Sequence, residues 1–226
     1  MFVGHYSAAL AAKAAEPGAP LWTYVIGAQL LDIGWSSLVI GGVERVSFDP
    51  SLPGSALVLE HMPWTHSLPS AVLWSVAAAL VVRFAMKLSW RACIFVGLVV
   101  FSHWIADFLV HRPDLELWFA GTKVGLGLWN YPLPEEALEI GLLAVAGAFW
   151  AGQRVRAGRH VWPAALFLTL LVGIQILAML LPPPPSVTQM GIMTLVIYLA
   201  FGAVAWLVER GKDDVGDRLP ASAARA

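Results

Sequence analysis

The sequence predicts an all-α fold, an integral membrane helical bundle of six transmembrane helices with a short N-terminal re-entrant or interfacial helix. Three observations predict it. Of 226 residues, 58% are hydrophobic and only 13% are charged, where an ordinary soluble domain is about a quarter charged. The charges gather in short clusters between long apolar runs. Those runs reach the roughly 20 mostly apolar residues that a spanning helix needs.

Six segments qualify as spans: 20–43, 67–86, 90–111, 135–151, 161–181 and 187–208. The fourth is short and opens at Glu135-Glu136, acids suited to a helix N-terminus. Pro182 to Pro185 separate the last two, and Ser186 or Thr188 can cap the sixth. Residues 1–210 read as one membrane domain and 211–226 as a flexible cytoplasmic tail. The N-terminus has neither a basic region ahead of an apolar core nor a clear cleavage site, so it does not read as a removable signal peptide. No internal repeat points to duplicated halves.

Basic residues in short loops set the orientation. Arg83, Lys87 and Arg91, then Arg154, Arg156 and Arg159, then Arg210, Lys212 and Arg218 occupy alternate loops and the C-terminal end. Six spans place all three groups on one side, which is expected to be cytoplasmic, in a bacterial inner membrane. Trp64, Trp118 and Trp129 near the other ends, with Trp22, Trp90 and Trp206 at the inner ones, form the aromatic belt. The net charge of −1 leaves no basic patch for nucleic acid. A single cysteine, Cys93, excludes an internal disulfide and a multi-thiolate metal site.

Residues 2–16 are too short to span comfortably, and Pro17-Gly18-Ala19-Pro20 makes a turn into the first span. If the two helices pack antiparallel about that turn, His5 and Asp32 lie side by side. Each is then about 18–20 Å from the turn at 1.5 Å per residue, beyond the midplane toward the outer side. The alternative is a surface amphipathic helix with His5 at a headgroup.

Other polar residues converge on the same outer half. His61 and His66 flank Met62-Pro63-Trp64-Thr65 at the entry to the second span. His103 and Asp107, at i and i+4, share one face of the third span, with His111 a turn beyond and Glu139 near the start of the fourth. Among the six histidines, only His160 reads as an ordinary loop residue. A bare carboxylate in hydrocarbon costs several kcal/mol, roughly, unless it is paired, hydrated or coordinated. Asp32 and Asp107 have no Lys or Arg nearby in sequence. Imidazoles and carboxylates around a divalent cation remove that cost together. His5, Asp32, His61, His66, His103 and Asp107 are therefore the candidate metal ligands. Zn2+ is the first choice, with Mn2+ or Fe2+ as alternatives. Six donors exceed a tetrahedral set, so some orient others or two metals are held.

Thr65-His66-Ser67 preceded by His61, His103 with Asp107, and the early intramembrane Asp32 resemble the motifs of the YdjM-like predicted membrane-bound metal-dependent hydrolases. The likeness runs from His5 to about Asn130 and includes His111-Arg112-Pro113-Asp114 and Lys123 to Asn130. It implicates Asp32, His61, His66, His103 and Asp107, with His5 beside them. The chain departs from the family where Ile33-Gly34 follows Asp32 and where Met62 follows His61.

The expected chemistry is hydrolysis of an ester or phosphoester by a metal-bound water, with Asp107, His66 or Glu139 taking the proton. The lipid bilayer is the expected partner, and a lipid or lipid-linked molecule the expected substrate. A metal-ion or proton transporter using the same cluster is the alternative. Haem held by a histidine pair is a third reading, which the neighbouring carboxylates disfavour.

Overall fold

The computed structural model describes residues 1–210 and is mostly helical. The expected tail, 211–226, lies outside the described residues. A 3-10 turn over Val3–His5 runs into α1 (Tyr6–Ala15), followed by α2 (Leu21–Ala28) and α3 (Leu30–Ile40). Then come α4 (Leu68–Ala85), α5 (Trp90–Val110), α6 (Pro132–Arg156), α7 (Trp162–Leu180) and α8 (Val187–Arg210).

Local chemistry sets several boundaries. The Ser67 hydroxyl accepts from the Ser70 amide at the start of α4, and the Ser89 hydroxyl from the Ala92 amide at the start of α5. α4, α6 and α7 each carry proline in the first turn, where no backbone N–H is needed.

Four helices, α4, α5, α7 and α8, are long and apolar enough to cross a membrane, and α2 with α3 makes a fifth span if the bent pair is one crossing. The expectation of six spans is met in part, and two of the expected segments differ. The first is divided at Gln29, where the axis bends by 51°, as in a broken span or a re-entrant loop. There the Gln29 amide turns back to the Ile26 carbonyl, a tight 3-10-type closure, and its side chain reaches the Phe2 carbonyl at 3.1 Å. The fourth segment lies within a 25-residue helix that carries Glu135, Glu136, Glu139, Arg154 and Arg156. Its length suffices, but it is not among the helices apolar enough to qualify.

The N-terminal helix is not on the surface. Val3, Tyr6, Ala9 and Leu10 are fully buried, and α1 packs against both α2 and α6. The main core joins these residues to Tyr24, Val96, Trp150 and Phe167. Large apolar side chains such as Leu73, Val81, Phe84 and Leu180 point outward, as they do on helices solvated by hydrocarbon.

Two small antiparallel hairpins, absent from the sequence reading, cap the end at which α3 and α5 terminate. β1 (Arg45–Phe48) pairs with β2 (Leu57–His61), placing Arg45 opposite His61. β3 (Leu115–Glu116) pairs with β4 (Lys123–Val124). Arg112 ties the first hairpin's loop to the chain before α6, donating to the Pro53 and Ser55 carbonyls and to Asn130 Oδ1. Lys123 donates to the Leu59 and Glu60 carbonyls. Gly125 has φ +153°, and a Cβ there would lie 2.1 Å from the Arg112 carbonyl oxygen, so only glycine permits this crossing. The following segment folds over the end of α5, with Gly127 N–H donating to the His111 carbonyl at 2.7 Å.

Candidate metal centre

Asp107 is the hub. It lies on the buried face of α5, one turn after His103, and its side chain is 2% exposed. Its Oδ2 lies 3.1 Å from His103 Nε2 and 3.5 Å from His66 Nε2. Its Oδ1 lies 3.2 Å from His5 Nε2, 3.5 Å from His111 Nε2 and 3.2 Å from the Met1 nitrogen. Asp32, brought in by α3, presents Oδ1 3.3 Å from His66 Nε2 and 3.5 Å from His103 Nε2. The Tyr198 hydroxyl of α8 donates to Asp32 Oδ2 at 2.9 Å.

The outer nitrogens of three imidazoles have acceptors, and this fixes what the inner nitrogens can be. His103 Nδ1 sits 2.7 Å from the Ala28 carbonyl, which can only accept. The break between α2 and α3 brings that carbonyl to the site. His66 Nδ1 sits 2.7 Å from Thr65 Oγ1, whose proton goes to Glu44 Oε2 at 2.7 Å. His111 Nδ1 faces Asp114 Oδ1 at 3.3 Å. Each Nδ1 thus carries hydrogen, so in the neutral ring Nε2 bears a lone pair. Three such lone pairs converge on carboxylate oxygens, which are also acceptors. His103 Nε2 and both nitrogens of His5 have no hydrogen-bond partner among the described residues. Buried acceptors facing one another are stabilised by a positive charge between them, either a metal ion or the second proton of an imidazolium.

The spacing suits a metal ion. Two neighbouring ligands at the usual zinc bond lengths lie about 3.0–3.5 Å apart. The four nitrogen–oxygen separations linking His66 and His103 to Asp32 and Asp107 run from 3.1 to 3.5 Å. Among the described residues, two buried groups are able to hold a metal ion: Asp32, His66 and His103, and His5, His103 and Asp107. His103 belongs to both. The His5 ring stacks on the His103 ring with centroids 3.6 Å apart and planes 2° from parallel.

The other sequence candidates are placed differently. His61 lies on β2, 38% exposed, with Nδ1 3.5 Å from Glu116 Oε1, and it joins neither group. Glu139 is buried beside the N-terminal turn, where its two oxygens accept from the Phe2 and Gly4 amides at 2.8 Å each. It secures the segment that carries His5.

Sequence reasoning missed Tyr198 and Glu44 as members of the site, and named Thr65 and Asp114 only as parts of longer motifs. Tyr198, the one tyrosine in the apolar span of α8, was the available signal. His111 faces Asp107, and Trp129 lies against its ring with centroids 3.9 Å apart. Glu44 is held in the loop after α3. Burial pushes its carboxyl pKa up, against the pull of His66 and of its hydrogen bonds to Thr65 and Trp64.

The fold and this cluster together define a helical protein with membrane-length apolar helices and a buried His/Asp group able to hold a metal ion. Comparisons with known proteins add no relative: no family model, no curated protein and no solved structure matches the chain.

Proposed function

We propose that the protein is a membrane-embedded, metal-dependent hydrolase that cleaves an ester or phosphoester of a lipid or lipid-linked substrate. One observation carries the reading. The Nε2 atoms of His66 and His103, each with Nδ1 turned to an acceptor, meet the carboxylates of Asp32 and Asp107 at ligand spacing. Zn2+ suits this nitrogen–oxygen set, with Mn2+ or Fe2+ as alternatives. His5 and His111, on the Oδ1 side of Asp107, provide a neighbouring cation position or a route for a proton.

A divalent cation at such a site lowers the pKa of a bound water toward neutrality and polarises the ester oxygen. Hydrolysis would join the water's oxygen to the carbonyl or phosphoryl centre and break the bond to the alkoxide, and the water's proton would pass to that alkoxide through the chain's own acid–base groups. Asp107 is the natural carrier, because Oδ1 faces His5 and His111 while Oδ2 faces the ligands. Glu139 is less suited, since both its oxygens already accept amide hydrogens. The resemblance to YdjM-like hydrolases favours the same chemistry. Loop charges favour a site in the outer leaflet of a bacterial inner membrane, within reach of lipid headgroups.

The broken helix at Gln29 favours a second reading, a metal-ion or proton transporter, because interrupted spans commonly line ion sites. Against it, the path from the cluster toward the Lys13 end is filled by Tyr6, Leu10, Leu21 and Tyr24, all fully buried. Reconstitution in liposomes separates the two. A hydrolase releases product from lipid without moving metal across the bilayer, whereas cation flux without lipid turnover would select the transporter.

A further inference from the structure

We infer that Glu44 and Thr65 form a relay that selects the metal-binding tautomer of His66, making both of them positioning residues of the centre. The inference rests on the metal-dependent reading and assigns it Glu44, which no sequence motif singles out, and a role for the Thr65 hydroxyl.

Glu44 is 1% exposed and saturated with donors. Its Oε1 accepts the Trp64 amide at 2.9 Å and the Thr65 amide at 3.0 Å. Its Oε2 accepts the Thr65 hydroxyl at 2.7 Å. The two amide bonds suffice to pin the turn before α4. They do not account for the other oxygen, which takes the only hydrogen of the Thr65 hydroxyl. With that hydrogen committed, Thr65 Oγ1 can only accept from His66 Nδ1, 2.7 Å away. His66 then presents a lone pair at Nε2, toward Asp32 and Asp107. Reversing the hydroxyl would put hydrogen on Nε2 and close the ligand position. A carboxylate acting on a metal-binding histidine through a hydrogen bond is a familiar way to fix ring orientation and basicity. Here a threonine hydroxyl stands between them and sets the polarity.

Glu44→Gln provides a sharp test because it keeps size and shape. The two backbone amides require the amide oxygen of Gln, so its NH2 is left facing Thr65. The hydroxyl must then accept from that NH2 and donate to His66 Nδ1, which moves the ring proton to Nε2. Thr65→Val retains the methyl group beside Gly34, where a Cβ would lie 3.2 Å from Thr65 Cγ2, and removes the hydroxyl. Thr65→Ser restores the hydroxyl.

The experiment combines 15N-histidine spectra of metal-free protein with Zn2+ affinity by chelator competition, using the full chain in detergent micelles. We expect His66 to carry hydrogen on Nδ1 in wild type and Thr65→Ser, and on Nε2 in Glu44→Gln. Kd should weaken about 10- to 100-fold in Glu44→Gln and Thr65→Val, and stay near wild type in Thr65→Ser. Wild-type tautomer and affinity in Glu44→Gln would overturn the relay while leaving the metal reading intact. A tautomer switch in a protein that binds no zinc would support the relay and contradict the metal reading.

Discussion

Two polar clusters are buried in this bundle, and they solve the cost of burial in opposite ways. At the end where α1 finishes and α8 finishes, Lys13 pairs with Glu209, their side chains 7% and 23% exposed. Lys13 also donates to the Pro17 and Ala19 carbonyls. Glu209 accepts the Leu21 amide at 2.6 Å, at the N-terminus of α2. Nearby Arg91 pairs with Glu16 at 2.6 Å. Opposite charges match there, and donors meet acceptors. The His/Asp cluster, about eight residues away along α1, roughly 12 Å at helical rise, has acceptors facing acceptors. The first cluster is complete with protein atoms alone. The second, beyond the Met1 nitrogen on Asp107 Oδ1 and the Tyr198 hydroxyl on Asp32 Oδ2, leaves buried His/Asp groups able to hold a metal ion. That difference makes the second the candidate site, although both would look like misplaced charge in a hydropathy profile.

The largest way to break the comparison is to exchange the roles of the two clusters by mutation. Asp107→Asn removes the hub that His5, His66, His103 and His111 all approach. It should reduce bound metal from stoichiometric to under about a tenth, since loss of even supporting groups around a metal costs 10- to 100-fold. Elemental analysis of the purified protein reads this directly. Lys13→Met should do the reverse, leaving metal content unchanged but destabilising the fold by about 3 kcal/mol. That is the low end for breaking a buried pair, because Glu209 keeps some access to water. Denaturant unfolding in micelles measures it.

A smaller contrast sharpens the boundary of the site. His103→Ala should lose metal as Asp107→Asn does, because His103 is shared by both candidate groups. His61→Ala should leave metal content at the wild-type value, its ring being directed at Glu116 instead. Equal losses from the two variants would return His61 to the ligand set. Smaller still, Tyr198→Phe removes the hydroxyl that steadies Asp32. It should weaken Zn2+ binding about 10-fold without emptying the site in excess metal, as isothermal titration would show. Last, wild-type protein in metal at 100 times Kd should be stabilised by about 2.7 kcal/mol over chelated protein, and Asp107→Asn by almost nothing.

Much of the fold was legible in the sequence because apolar runs of membrane length have few other uses. The break at Gln29 was not, because one amide residue without proline or a run of glycines looks like a polar passenger in a continuous helix. The hairpins escaped because strands of two to five residues carry too little alternation to register. Within the site, Asp32, His66, His103 and Asp107 were legible as charge or imidazole in the wrong solvent. His5 followed from the turn at Pro17. His61 lies apart from both groups, because closeness to His66 in sequence says nothing about the register of β2. Glu44 was invisible, since nothing in a single chain couples position 44 to position 65. Glu139 was read as a proton acceptor, and its amide partners at Phe2 and Gly4 appear only once α6 is packed against the N-terminal turn.

On the proposed function, the acceptors around Asp107 enclose a divalent cation. Metal content of wild type and Asp107→Asn, purified without chelators, tests it most directly, with Lys13→Met as the paired control. At least one divalent ion per chain is expected in wild type and in Lys13→Met, and almost none in Asp107→Asn. Wild-type protein that remains free of divalent metal, even after incubation with Zn2+, Mn2+ and Fe2+, would contradict it.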